Sequence, residues 1–203
     1  SGSSDMDYSY YKWAQNQGAY DSDWAISVDV AVPNWTMSSN EIVGVGFGIT
    51  NSADPINDSF VIELEQGNHG SGSETSFTLD KMTDGNPGDE FDKTASALSG
   101  TVQIQYSSSD NKLYGFYNEG SGWNAMNPGG TGISDWGTVT AFNAFIVGTS
   151  ENKSVDSGDG FTVDHFDAGA DMVAAAPEPS TYALFGIGLF GLIGGWIRKK
   201  IKK

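Results

Sequence analysis

Large apolar residues recur at every second position along most of this chain. Trp24, Ile26, Val28, Val30 and Val32 alternate with Ala25, Ser27, Asp29 and Ala31, the period of a strand with one face in a core and one outside. From Val43 to Ile49 the large residues alternate with Gly44, Gly46 and Gly48. One face of that strand therefore carries no side chains and admits a bulky neighbour or another backbone. Further strand-like runs lie at 60–65, 76–79, 101–106, 112–117, 142–147 and 161–166, separated by turn-rich stretches at 51–58, 67–72, 84–89, 107–111 and 128–132. Eight or more strands in about 170 residues, with no helical period, predict an all-β, two-sheet sandwich around one core.

The pattern changes near the C-terminus. Ala176-Pro177-Glu178-Pro179-Ser180-Thr181 leads into an apolar run at 182–197, closed by Arg198, Lys199, Lys200, Lys202 and Lys203. Roughly 16 residues rise about 24 Å as a helix, slightly less than the ~30 Å hydrocarbon core. Lysine snorkelling and an interfacial Trp196 make up the difference. This predicts a single C-terminal transmembrane α-helix at about 182–197 with a cytoplasmic basic tail, 198–203. Gly191 and Gly195 have the GxxxG spacing that pairs membrane helices, so a homo-oligomer is among the expected partners. Residues 167–176 read as a small-residue linker, and 1–166 as the exported domain.

Pro177-Glu178-Pro179, the apolar span and the basic terminus together resemble the PEP-CTERM sorting signal of bacterial proteins handled by exosortase. The resemblance implies an envelope bearing exopolysaccharide and a transpeptidase-like enzyme that cuts near Pro177 to Pro179. It makes Pro177, Glu178, Pro179, Arg198, Lys199 and Lys200 the sorting residues, and the cell surface or extracellular matrix the destination. The plain alternative is an ordinary anchor that is never cut.

Composition agrees with export. There are no cysteines, hence no disulfide framework and no thiol catalysis. The chain starts at Ser1 with no Met and no apolar run behind it, which predicts a signal peptide already removed. Residues 1–176 hold 5 Lys against 25 acidic residues, a formal −20, and the remainder is +4, giving the net −16. A domain at −20 repels phosphate backbones, so no nucleic-acid partner is expected.

Two stretches bring the sandwich closer to a known type. Val102-Gln103-Ile104-Gln105-Tyr106, a polar turn and Leu113 resemble a hairpin of the concanavalin, or L-type lectin, jelly roll. Phe60-Val61-Ile62-Glu63-Leu64-Glu65 resembles its Glu-x-Asp strand, and Gly160 to Phe166 its closing strand. The resemblance implies a jelly-roll fold and glycan recognition. The lectin metal site is incomplete here: the second acid is Glu65, and 66–70 supplies no further carboxylate.

Glu63 and Glu65 face the same way on a strand, about 6.5–7 Å apart, near the separation of a retaining glycosidase pair. Related glucanases place three acids on such a strand, and this chain has Val61 where the third would stand. Two carboxylates on a solvated face are the alternative. Asp156, Asp159 and Asp164 could line a calcium loop, or make an Asp/Gly turn. Calcium is the one cofactor these residues suggest. Trp123, Asn124, Trp136 and Tyr117 are the candidate sugar-binding residues, since flat amphipathic rings stack on sugar CH faces while amides bond hydroxyls. His165 reads as a surface or half-buried strand residue.

These features predict an exported, envelope-anchored, non-catalytic glycan-binding or matrix protein whose partners are an exosortase-type enzyme, extracellular polysaccharide and the membrane. The alternatives are a glycoside hydrolase using Glu63 and Glu65, and a self-assembling surface subunit.

Overall fold

A computed structural model describes residues 6–12, 18–53, 57–68, 72–137, 139, 141–156 and 158–169. The strands are β1 (Met6–Lys12), β2 (Gly18–Ala19), β3 (Trp24–Ala31), β4 (Ile42–Asn51), β5 (Ser59–Gly67), β6 (Glu74–Thr83) and β7 (Asn86–Thr94). They continue with β8 (Ser99–Ser107), β9 (Lys112–Asn118), β10 (Asn124–Ala125), β11 (Thr131–Gly132), β12 (Ala141–Glu151) and β13 (Thr162–Asp167). The larger sheet runs β1-β12-β4-β5-β6-β7, with β2 also on β12. The smaller runs β10-β9-β8-β3-β13, with β11 also on β9. All pairings are antiparallel. The predicted all-β, two-sheet sandwich is what forms.

The alternation read from the sequence sets which residues fill the space between the sheets. Phe47, Ile49, Phe60, Ile62, Phe77 and Leu79 of the larger sheet belong to one cluster with Ile26, Val28, Val102 and Ile104 of the smaller. Each such side chain, fully removed from water, contributes about 1.5–3 kcal/mol. At one margin of the core Trp24 and Phe142 lie 4.3 Å apart and Tyr20 meets Tyr106 edge-on at 4.9 Å. Burial there pushes the Tyr20 phenol far above its ordinary range, with Tyr106 adding to the effect.

The hairpin anticipated around 102–113 is β8–β9, paired from Thr101↔Asn118 to Ser107↔Lys112. The closing strand is β13, paired with β3 at the margin of the smaller sheet. Five strands were not anticipated: β1, β7 and the two-residue β2, β10 and β11. The stretch 84–89, read as a turn, is a turn only at Asp84-Gly85. Both residues have positive φ, 52° and 73°, as a two-residue type I′ hairpin requires, and Thr83 pairs directly with Asn86.

An ion pair crosses from β6 to the short 3-10 turn Ser134–Trp136. Lys81 is 7% exposed and donates to Asp135 at 2.5 Å and to the Gly132 carbonyl at 2.8 Å. Beside it Trp136 Nε1 donates to the Met82 carbonyl at 3.0 Å. Lys81→Met is expected to lower stability by about 2 kcal/mol, less than a fully buried pair because Asp135 keeps access to water. An unchanged urea midpoint would contradict this.

All these strands fall in the first of two units, Ser1–Val173; the second is Ala174–Lys203. The expected helix at 182–197, the basic tail and the sorting residues lie outside the described residues. Among the described residues, no helix is long and apolar enough to cross a membrane.

Candidate functional site

The glycines of β4 shape the outer face of the larger sheet. The strand register places Thr149, Gly44, Glu65, Ser76 and Thr94 in one row across it. The next row is Val147, Gly46, Glu63, Thr78 and Asp92, and the third is Phe145, Gly48, Val61, Asp80 and Glu90. Because β4 contributes no side chains here, groups on β5 and β12 meet across it, although their strands are about 9.6 Å apart. Thr149 Oγ1 donates to Glu63 Oε1 at 2.6 Å. A Cβ at Gly44 would lie 3.3 Å from Glu63 Oε1 and 3.6 Å from Glu65 Oε1, so both carboxyls lean over the same bare Cα. The Phe145 ring fills the equivalent space at Gly48, 2.5 Å from where a Cβ would be.

The result is an acidic recess with a graded depth. Glu63 is 4% exposed and Thr78 7%; Glu65 and Asp80 are half-buried; Glu90 and Asp92 are exposed on β7. Glu63 and Glu65 do point the same way, as the strand period required. They are not the exposed pair on a solvated face that was the simplest alternative, because the glycine strip lets Glu63 sink into the sheet surface.

Burial pushes the Glu63 carboxyl up to about 7, against the bond from Thr149 and with the help of Asp80. Burial, then Glu63, then Asp80, Asp92 and Glu90, push Glu65 well above the usual carboxylate range. Asp80 rises to about 6 through burial and its neighbours Glu90 and Asp92. No cation offsets this charge among the described residues: Lys81, on the same strand as Asp80, points the other way into its pair with Asp135.

Thr78 Oγ1 is buried with no hydrogen-bond partner, and in register it stands between Glu63 and Asp92. A buried hydroxyl without a partner is destabilising by about 1–3 kcal/mol, and here it sits in the floor of the recess. Sequence reasoning missed Thr78, Thr149, Asp80, Glu90 and Asp92. The alternation Ser76-Thr78-Asp80 was there to be read, but Glu90 and Asp92 could not be placed while β7 was taken for a turn.

The aromatic candidates fare differently. Trp136 is 3% exposed and part of the core, so no ring face is open to a sugar. Tyr117 faces between the sheets and stacks on Phe77 at 4.6 Å. Asn124 is its register partner but is exposed and donates to the Gly122 carbonyl at 3.2 Å. Trp123 is half-buried in the preceding loop. The four do not assemble into a platform, because core packing claims the rings of Trp136 and Tyr117.

The expected calcium loop is a hydrogen-bonded turn. Asp159 N–H donates to the Asp156 carbonyl at 3.2 Å, and the Asp156 N–H to the Asp159 carboxylate. Asp164 lies on β13 next to the exposed His165, whose Nδ1 is 3.0 Å from Asp29. Asp156, Asp159 and Asp164 do not converge: among the described residues, no group of three or more acidic or His side chains could hold a metal ion.

The fold and the recess together define an all-β sandwich with an acidic, partly buried site on the outer face of its larger sheet. Residues 175–199 match the PEP-CTERM protein-sorting motif, which marks an exported protein sorted to the cell surface and implies processing by an exosortase. No curated protein matches the chain in sequence. Among solved structures, the Bacteroides ovatus xyloglucan PUL protein GH43B is 12% identical with a TM-score of 0.46, over 73% of this chain. The chain spans only 27% of that protein's length. A legume lectin-like domain from Entamoeba histolytica is 10% identical with a TM-score of 0.39, over 83% of this chain and 81% of its own. The agglutinin CG-16 from chicken liver is 11% identical with a TM-score of 0.38, over 79% and 98%. These likenesses are in the fold alone and bear on neither ligand nor reaction.

Proposed function

We propose that this is a non-catalytic glycan-binding protein of the bacterial surface or its exopolysaccharide matrix, and that it binds through the acidic recess of the larger sheet. The observation that carries the reading is Thr78. A buried hydroxyl without a partner, set among Glu63, Glu65 and Asp92, is the arrangement that a polyhydroxylated ligand completes by exchanging hydrogen bonds. The sorting motif supports a setting in which such ligands abound.

The full chain in mild detergent, applied to an array of glycans and bacterial exopolysaccharides, is expected to retain at least one polysaccharide. Glu65→Gln and Thr78→Val are expected to weaken that retention. A folded protein that retains none of them overturns the reading.

A second reading is favoured by one observation. Glu63 and Glu65 sit two residues apart on one face, and Glu63, held near 7, would suit a general acid. Against it, Glu63 is almost wholly buried and already bonded to Thr149, and burial and the neighbouring carboxyls push Glu65 upward, which disfavours the ionised form a nucleophile needs. Release of reducing sugar by the wild type, abolished in Glu65→Gln, would establish hydrolysis and displace the binding reading.

A further inference from the structure

The recess gathers five carboxyl groups, of Glu63, Glu65, Asp80, Glu90 and Asp92, and no cation among the described residues faces them. The carboxyls of Glu65, Asp80, Glu90 and Asp92 form no hydrogen bond and no ion pair among the described residues. Lys81, the one cation on β6, is committed to Asp135 and Gly132 on the opposite side. Three strands contribute carboxyls to this patch, and the glycine strip of β4 brings Glu63 and Glu65 together over one Cα. The groups are nevertheless dispersed: no three of them converge as a divalent ion demands. A primary ammonium differs from a metal in that its three N–H donors reach separate acceptors without a closed coordination shell.

Thr78 adds an independent requirement. The residue is 7% exposed, and its hydroxyl oxygen is buried with no partner. It calls for a hydrogen-bonding group within reach of whatever sits among the carboxyls. A neutral sugar meets that need and leaves the charge uncompensated. A lone ammonium spends its three N–H donors on the carboxyls and brings no further hydroxyl to Thr78. One class of ligand meets both: a sugar bearing a free amino group. The opening toward β7, where Asp92 and Glu90 are exposed, gives a polymer a way in along the acidic edge.

We infer that the recess takes a hexosamine unit with a free amino group, its ammonium held among Glu63, Glu65 and Asp80 and a neighbouring hydroxyl bonded to Thr78 Oγ1. The inference rests on the glycan-binding reading and names its ligand class: a cationic, at least partly deacetylated amino-sugar polymer. A bound ammonium would favour the ionised forms of these carboxyls and so reverse their upward shift.

The test uses two probes with the same skeleton, glucosamine oligosaccharides and their fully N-acetylated counterparts. Calorimetric titration of the full chain in detergent, at physiological salt so that diffuse attraction to a −20 domain is screened, is expected to show the amino form binding at least about tenfold more tightly. Thr78→Val keeps the shape and removes the hydroxyl. It is expected to weaken binding by about tenfold while raising the thermal midpoint of the free protein, since an unpartnered group has been removed. A merely structural Thr78 would not move the two readouts in opposite directions. Asp156→Asn, which removes one carboxylate outside the recess as Glu65→Gln removes one within it, is expected to bind like wild type.

Equal binding of both oligosaccharides, or binding of neutral glycans alone, overturns the inference and leaves glycan recognition standing. A lysine peptide that competes as well as the amino sugar also overturns it, by showing that charge alone is read. Calcium uptake abolished by Glu65→Gln would overturn it in favour of an ion. No binding to any glycan by a folded protein removes the underlying reading as well.

Discussion

Acidification from about pH 8 to about pH 5 is expected to stabilise this protein, by about 3 kcal/mol from Glu63 alone. The Glu63 carboxyl titrates near 7 in the folded chain against an ordinary 4.5. The folded state therefore holds its proton over a range in which the unfolded state has lost it. The stabilisation is complete below about 4.5 and disappears as pH rises through about 7. Asp80, raised from 3.8 to about 6, and Glu65 act in the same direction. Glu41 and Asp23 oppose them. Each is held low chiefly by hydrogen bonds, from Ser38 and Ser108 respectively, and that support is lost only as pH falls through their depressed values. Stability should therefore peak in the mildly acidic range. Urea midpoints equal at the two pH values, or higher at the alkaline one, would refute this. Glu63→Gln keeps an acceptor for Thr149 and removes the titration, so it should flatten the profile and stabilise the protein at alkaline pH.

The second large effect is expected at Gly46. A Cβ there would lie 2.0 Å from the Ile62 carbonyl oxygen and 2.7 Å from the Glu63 Cα. Both are backbone atoms of the adjoining strand, so relief requires the central β4–β5 pairing to part. Gly46→Ala should destabilise by about 3 kcal/mol or more, a large share of the ~5–15 kcal/mol that holds a domain together. Gly44→Ala provides the control. Its Cβ would meet the Glu65 Cγ at 2.9 Å, and that side chain can swing away. Gly44→Ala should fold and mainly disturb the recess, whereas Gly46→Ala should give poor yield or a sharply lowered urea midpoint. Similar midpoints for the two variants would show that β4 tolerates the displacement.

The parts of this fold that were legible in the sequence are those where a core imposes a period of two. Trp24 to Val32, Val43 to Ile49 and Val102 to Tyr106 could be read as strands because the large apolar residues of each line the face turned to the core. β7 could not. It lies at a sheet margin, carries Pro87, Gly88, Asp89 and Glu90, and buries little, so its composition is that of a turn. The consequence reached the site: without β7, the acidic patch around Glu65 shrank to two residues on one strand. The glycine alternation was correctly read as room for a neighbour, but which neighbour depends on register across three strands, and no local pattern encodes that. The aromatic residues misled for a related reason. Trp and Tyr serve a core as well as a ligand, and Trp136 owes its place to the Met82 carbonyl, 54 positions away in the chain.

The margin formed by β7 also bears on how copies of this protein coexist. A sorted surface protein is held at high local density, where open sheet margins invite neighbouring molecules to add strands to one another. Here the open margin presents Asp89, Glu90 and Asp92, all exposed, with Pro87 lacking an N–H to share. Two molecules meeting along it would face carboxylate to carboxylate. If the proposed cationic polymer enters along this strand, the same strand would keep the molecules apart, and in a crowded coat they would be joined through the polymer and not directly to each other.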